Sequence, residues 1–182
     1  MNYLDQYVIH FRGLKEGEHR YVFMLDDRFF SEFPGSEIHR SAIRADVTLD
    51  KSATFLILMF RLRGMVCMPC DRCLDDFELP ISNDTTVYVK FGNGVKADAE
   101  DVIFLQPDDH EIAISQMLFE FAHLALPLKR IHPENKKGKS LCNKEMLAKL
   151  AKFSAGHSGK GNGIREIDPR WDELKKIQGN NH

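Results

Sequence analysis

At 182 residues, 43% hydrophobic and 29% charged, the chain is long enough for one ordinary globular core with an appendage and too short for several domains; collagen-like, mucin-like and fully disordered classes are excluded. Its longest apolar run, Phe55-Leu56-Ile57-Leu58-Met59-Phe60, is flanked by Arg61 and Arg63 and falls far short of the roughly 18 to 20 residues a membrane helix requires. The net charge of -2 is unevenly placed: residues 1–128 hold 12 Lys and Arg against 21 Asp and Glu, a balance of -9, while residues 129–182 hold 13 against 6, a balance of +7.

An acidic body with a basic tail points either to an anionic partner for the tail or to a tail folded back on its own body. The opening Met1-Asn2-Tyr3-Leu4-Asp5-Gln6 has no basic stretch leading into an apolar one, so it does not read as a secretory signal. A soluble, cytoplasmic protein without a membrane partner is expected.

In chain order, Tyr7–Phe11 and Tyr21–Leu25 are weak strand candidates. In Ile43-Arg44-Ala45-Asp46-Val47-Thr48-Leu49 strict alternation places Ile43, Ala45, Val47 and Leu49 on one face of a half-buried strand. Residues 54–62 are apolar nearly throughout, which predicts a mid-sheet strand covered on both faces. Phe77, Leu79 and Ile81 alternate with polar residues or Pro80, which suits an edge. After a turn at Ser82-Asn83-Asp84, Val87, Val89 and Phe91 alternate again, and Val102–Leu105 is a further weak strand.

Helical spacing takes over near Ser115, a good N-cap, with Leu118, Phe121, Ala122 and Ala125 on one face and Pro127 as the stop. Lys129–Leu141 has no apolar period and reads as a basic loop. Asn143 is placed to cap a second helix with Met146, Leu147, Leu150 and Ala151 on one face. Ser154–Gly163, with four glycines, reads as a flexible linker. Asp168 and Pro169 then open a last helix whose Trp171, Leu174 and Ile177 share a face, as a docking anchor would.

Four cysteines occur, three of them in Cys67-Met68-Pro69-Cys70-Asp71-Arg72-Cys73 and the fourth at Cys142. A Cys-x2-Cys pair on a tight turn is the ordinary half-site for tetrahedral zinc. The strand before Cys70 and the polar Asp71-Arg72 step favour Cys70 and Cys73, with Cys142 and His132 as donors for the other half. Reduced cysteines that pack as small hydrophobes and a thiol redox site are the competing readings. A catalytic zinc fits less well, since no His or carboxylate grouping with a nearby base stands out. No phosphate-binding Gly-x-x-x-x-Gly-Lys loop, nucleophile elbow or His-Glu-x-x-His motif is present. His10 and His123 read as structural histidines. The acids Glu100, Asp101, Asp108, Asp109 and Glu111 read as solvated surface. Lys129, Arg130, His132, Lys136, Lys137 and Lys139 fall within eleven residues, the cation density that a phosphate-binding surface needs.

Cys70-Asp71-Arg72-Cys73-Leu74, then Phe119 to Leu128 running into His132, then Gly138-Lys139-Ser140-Leu141-Cys142, then Asp168 to Leu174, resemble in order the bacterial YceD family, the large ribosomal RNA subunit accumulation proteins. The resemblance implies a non-enzymatic factor for large-subunit ribosomal RNA accumulation and ribosome assembly. Many relatives carry Cys-Pro-x-Cys-Gly near the Leu-Cys step. Here Asn143 follows Cys142 and Glu145 replaces the second cysteine, so a fourth zinc ligand must come from His132, Cys67 or an oxygen donor such as Glu145.

The expected architecture is α+β, with an antiparallel barrel-like or sandwich-like sheet over residues 1 to about 112. The expected divisions are a sheet-rich core with one helix over 1–128, a basic loop and helix tethered to the cysteines over 129–153, the linker 154–163 and a docking helix over 164–182. The expected function is contact with large-subunit ribosomal RNA or a precursor particle, with Lys129, Arg130, Lys136, Lys137 and Lys139 on phosphates and structural zinc on Cys70, Cys73, Cys142 and His132. The alternatives are an adaptor docking a ribosomal protein or RNA-processing enzyme through Trp171, Leu174 and Ile177, and a thiol oxidoreductase.

Overall fold

The computed structural model describes residues 3–92, 102–134 and 138–153. Lys136, Lys137, the linker at 154–163 and the segment bearing Trp171, Leu174 and Ile177 lie outside them. The chain divides into two compact units, Met1–Asn143 and Lys144–His182.

The first unit is a mixed α+β structure dominated by strands. A short 3-10 turn (Tyr3–Tyr7) leads into β1 (Val8–His10). There follow β2 (Gly17–Asp26), the short helix α1 (Asp27–Ser31), β3 (Arg40–Lys51), β4 (Phe55–Pro69), β5 (Asp76–Phe91), β6 (Val102–Leu105), β7 (Glu111–Ala113) and helix α2 (Ser115–Leu124). The main sheet runs β2-β3-β4-β5-β6, and β1 pairs with β7 in a separate two-stranded ribbon.

The sheet is open, which corrects the barrel or sandwich expectation. β2 and β6 are its two edges, and one face is covered by α1, α2, β1 and β7 instead of by a second broad sheet. It is also not wholly antiparallel, because β6 runs parallel to β5, Tyr88 opposite Val102 through Phe91 opposite Leu105.

Ile43, Ala45, Val47 and Leu49 all point into the core, as their alternation requires. β4 does sit in the middle of the sheet, but the expected cover on both faces is absent: Leu56, Leu58, Phe60 and Leu62 are buried while Phe55 and Met59 are 38% and 37% exposed. Apolar content therefore overstated burial. β5 is one unbroken strand where two strands and a turn were expected. Its turn-forming residues are held in the strand by partners: Asn83 Nδ2 donates to the Phe121 carbonyl at 3.0 Å, and the Asp84 carboxylate pairs with Arg61 and Arg63 of β4. Pro80 lies where β5 has only β4 beside it, consistent with an edge.

In α2, Leu118, Phe121 and Ala122 are buried as expected. The N-cap position is Ile114, not Ser115, and no side chain caps the helix. Ile114 is buried and its N–H donates to the Tyr7 carbonyl at 2.9 Å, so packing sets the start of the helix. The helix also ends at Leu124, ahead of Pro127, with the Ala125 and Leu126 N–H groups closing the last turn on Phe121 and His123. His10 is satisfied by Glu111 at 2.9 Å. His123 bonds the Phe119 carbonyl through Nδ1, while its buried Nε2 has no partner among the described residues.

Asp26 caps α1. Its carboxylate accepts the Phe29 N–H at 3.0 Å and the Tyr3 hydroxyl at 2.8 Å. Burial opposes ionisation of this group, but those donors outweigh it and hold the carboxyl below its ordinary 3.8. The stability so gained is present above the unfolded value and is lost as pH falls through the lower folded value. Asp26→Ala is expected to cost about 1 kcal/mol at neutral pH, with the difference from wild type shrinking at about pH 3. Urea unfolding at the two pH values checks this, and an equal difference at both would contradict it.

The described part of the second unit is α3 (Lys144–Phe153), with no buried residue. Met146 and Leu147 are half-buried, whereas Leu150 and Phe153 are exposed, as are Lys144, Lys149 and Lys152.

Candidate metal centre

The cysteine cluster sits at the far end of the β4–β5 hairpin. Cys70 follows the last residue of β4, and the chain reverses through Asp71, Arg72, Cys73 and Leu74. The Leu74 N–H donates to the Cys70 carbonyl at 2.9 Å, and the Cys70 N–H to the Asp75 carbonyl at 3.0 Å. Leu74 adopts a left-handed backbone, φ 64°, which costs a non-glycine residue about 1 to 2 kcal/mol and is held by those closing bonds.

The basic loop comes back to this turn at both of its ends. At the first, the Asp71 N–H donates to the Arg130 carbonyl at 2.7 Å, and the Asp71 carboxylate accepts the Arg130 N–H at 2.6 Å. The Arg130 guanidinium meets Glu37 at 2.8 Å. His132 follows, its ring tilted over Phe77 with centroids 4.8 Å apart. At the second end, the Leu141 N–H donates to the Pro133 carbonyl, Glu134 bridges Ser140, and the Asn143 amide donates to Asp75 at 3.2 Å.

Cys70, Cys73, His132 and Cys142 thereby offer four ligand atoms that all lie within 4.8 Å of one another. The Cys70 and Cys142 sulfurs are 3.7 Å apart, and the Cys73 sulfur is 3.4 Å from His132 Nδ1. Ligands around a tetrahedral ion with metal–sulfur bonds of about 2.3 Å and metal–nitrogen bonds of about 2.0 Å stand roughly 3.5 to 3.8 Å apart, so these two pairs match such an ion in spacing and all four residues match it in donor type. All three cysteines are reduced and buried.

Burial alone would push the Cys70 thiol up, yet the Arg72, Cys73 and His132 N–H groups aimed at it bring it down to about 6. Burial raises Cys73, and the adjoining Cys70 and Cys142 sulfurs add to that against the Asn143 and Asp75 N–H groups. One sulfur readied for ionisation beside another that stays protonated is the split two interacting bare thiols adopt, with one lowered and one raised; a divalent cation at the cluster would hold both as thiolates.

Cys67 is not one of the four. It lies on the outer face of β4, where the Arg40 guanidinium donates to its sulfur at 2.8 Å and also bonds Asp76. Of the expected cationic residues, Lys129 and Lys139 are exposed. Spacing did not show that Asp71, Glu37 and Phe77 hold the loop, because those roles depend on partners about sixty to ninety residues away in the chain.

The Cys70–Cys73 turn, the α2 helix and the loop ending in Cys142 all fall within residues 58–178, which match the family model described as Large ribosomal RNA subunit accumulation protein YceD. The chain belongs to the YceD family. Membership ties it to the accumulation of large-subunit ribosomal RNA, and YceD is not a known enzyme family. No curated protein and no solved structure matches the chain. No helix among the described residues is long and apolar enough to cross a membrane. Within this YceD chain the turn and the loop bring Cys70, Cys73, His132 and Cys142 together as a group that could hold a metal ion.

Proposed function

We propose that this protein is a non-enzymatic cytoplasmic factor of ribosome assembly that binds large-subunit ribosomal RNA or its precursor particle directly. One zinc ion on Cys70, Cys73, His132 and Cys142 is structural, since four protein ligands leave no open position for substrate. It ties both ends of the basic loop to the sheet, and Lys129, Lys136, Lys137 and Lys139 contact phosphates. Arg130 enters this reading as a residue that fixes the loop, because Glu37 takes its guanidinium. The observation that carries the reading is the convergence of the four ligands, which brackets the densest run of cations in the chain.

The test is binding of the full chain to purified large-subunit ribosomal RNA across a salt series. Four phosphate contacts predict a log–log slope near about -3. Charge reversal, with Lys129→Glu, Lys136→Glu, Lys137→Glu and Lys139→Glu together, should flatten that slope and weaken binding more than about tenfold, with the fold intact by circular dichroism. Unchanged affinity and slope would reject the loop as the RNA surface and leave the adaptor reading, through Trp171, Leu174 and Ile177, to be probed.

A further inference from the structure

The main sheet has a second face, away from the core, and its two ends differ. Along β2 to β5 the outer cations are matched to acids: Arg20 to Glu18, Arg40 to Asp76, Arg44 to Asp46, and Arg61 and Arg63 to Asp84. That part of the face is a mosaic of paired charges, and Asp50 and Glu78 add two further acids to it. Beyond it, Phe55, Lys90 and Phe104 form one row across β4, β5 and β6, and Ile57, Tyr88 and Val102 form the next, which continues onto β3 at Asp50. Their neighbours in sequence, Leu56, Val89, Phe91, Ile103 and Leu105, pack toward the core, so this row pair faces outward.

Phe55 is 38% and Tyr88 45% exposed, and Phe104 is half-buried. Among the described residues none of the three rings packs on another ring, and Lys90 makes no ion pair. Among the described residues Lys90 is thus the one outer-face cation without an acid, and it stands between two phenyl rings on the flanking strands. Two strand spacings separate Phe55 from Phe104, about 10 Å.

We propose that this end of the sheet is a stacking platform for unpaired RNA bases. Phe55, Tyr88 and Phe104 each offer a ring face to one base, and Lys90 meets the phosphate chain that links them. Base-on-ring stacking accepts any base and requires bases that are not already paired. Strands hold the rings in place before binding, so little order is lost on contact. The inference rests on the RNA-binding reading above and adds to it a preference for single-stranded segments, carried by a surface separate from the basic loop.

The full chain is titrated with a short labelled oligoadenylate and with an RNA duplex of equal length. Phe55→Leu, Tyr88→Leu and Phe104→Leu combined keep apolar area and strand character but remove stacking. This variant should lose roughly tenfold per ring on the single strand, with the duplex affinity and salt slope unchanged, while Tyr88→Phe should bind as wild type does. Wild-type affinity for the single strand in the leucine variant would overturn the platform, as would equal losses on strand and duplex. The two readings fail separately. If reversing the loop charges weakens binding as expected while the leucine variant does not, only the platform falls; if the wild-type chain binds no RNA at all, the RNA reading falls and takes the platform with it.

Discussion

Gly64→Ala is expected to destabilise the first unit by about 3 kcal/mol or more. A Cβ at Gly64 would stand 2.3 Å from the Ala42 carbonyl oxygen and 2.5 Å from the Ile43 Cα, both backbone atoms of β3 in the middle of the sheet. Glycine within a strand marks such a close approach of another backbone, and no rotamer change relieves a clash with backbone. Strand separation at this row would disturb Ile43 and Ile81, both buried beside it. Gly13 is the control, since a Cβ there meets nothing within 4 Å, and Gly13→Ala should be nearly neutral. Urea unfolding midpoints compare the two. A Gly64→Ala protein that unfolds within about 1 kcal/mol of wild type would contradict the packing described.

The second large effect concerns the metal. If zinc closes the loop, Cys142→Ser and His132→Ala should each lower zinc affinity by more than the roughly 10- to 100-fold that follows loss of an outer contact. Protein purified through a chelating buffer should then carry one zinc per chain in the wild type and little in either variant. Cys67→Ser should keep its zinc, because Cys67 faces Arg40 and not the cluster. The core consists of sheet, helix and ribbon residues without any of the cysteines, so metal loss should act locally. Hydrogen exchange should rise at the Asp71, Leu141 and Cys142 amides, whose partners lie in the turn and loop, while β3 and β4 remain protected. Zinc retained in Cys142→Ser, or lost in Cys67→Ser, would reject the ligand set.

Sequence patterns revealed those parts of the fold whose cause is local. The alternation of Ile43 to Leu49 and the stripe of Leu118, Phe121 and Ala122 each follow from one element burying one face, and the structure keeps both. Features with distant causes were not legible. Asn83 and Asp84 are ordinary turn residues until Phe121, Arg61 and Arg63 supply partners, and only then does β5 run straight through them. Sheet closure likewise depends on whether β2 and β6 meet, which alternation within a strand does not determine.

The candidate metal site divides in the same way. Thiol and imidazole donors and the Cys70–Cys73 spacing were readable from chemistry, but the choice of His132 over Cys67 required the loop to fold back. That return depends on the reciprocal Asp71–Arg130 bonds and on the Arg130–Glu37 pair. Phe77 beneath the His132 ring is a third such contact.

Direct contact with large-subunit ribosomal RNA through the metal-held loop is what the proposed function requires. Ultraviolet crosslinking of the tagged protein to RNA in its own cells, followed by sequencing of the recovered RNA, tests it most directly. Reads are expected to concentrate on one stretch of large-subunit ribosomal RNA in the wild type and to be lost when Lys136, Lys137 and Lys139 are replaced by glutamate. Background reads alone from the wild type, or an undiminished peak from the charge-reversed protein, would contradict it.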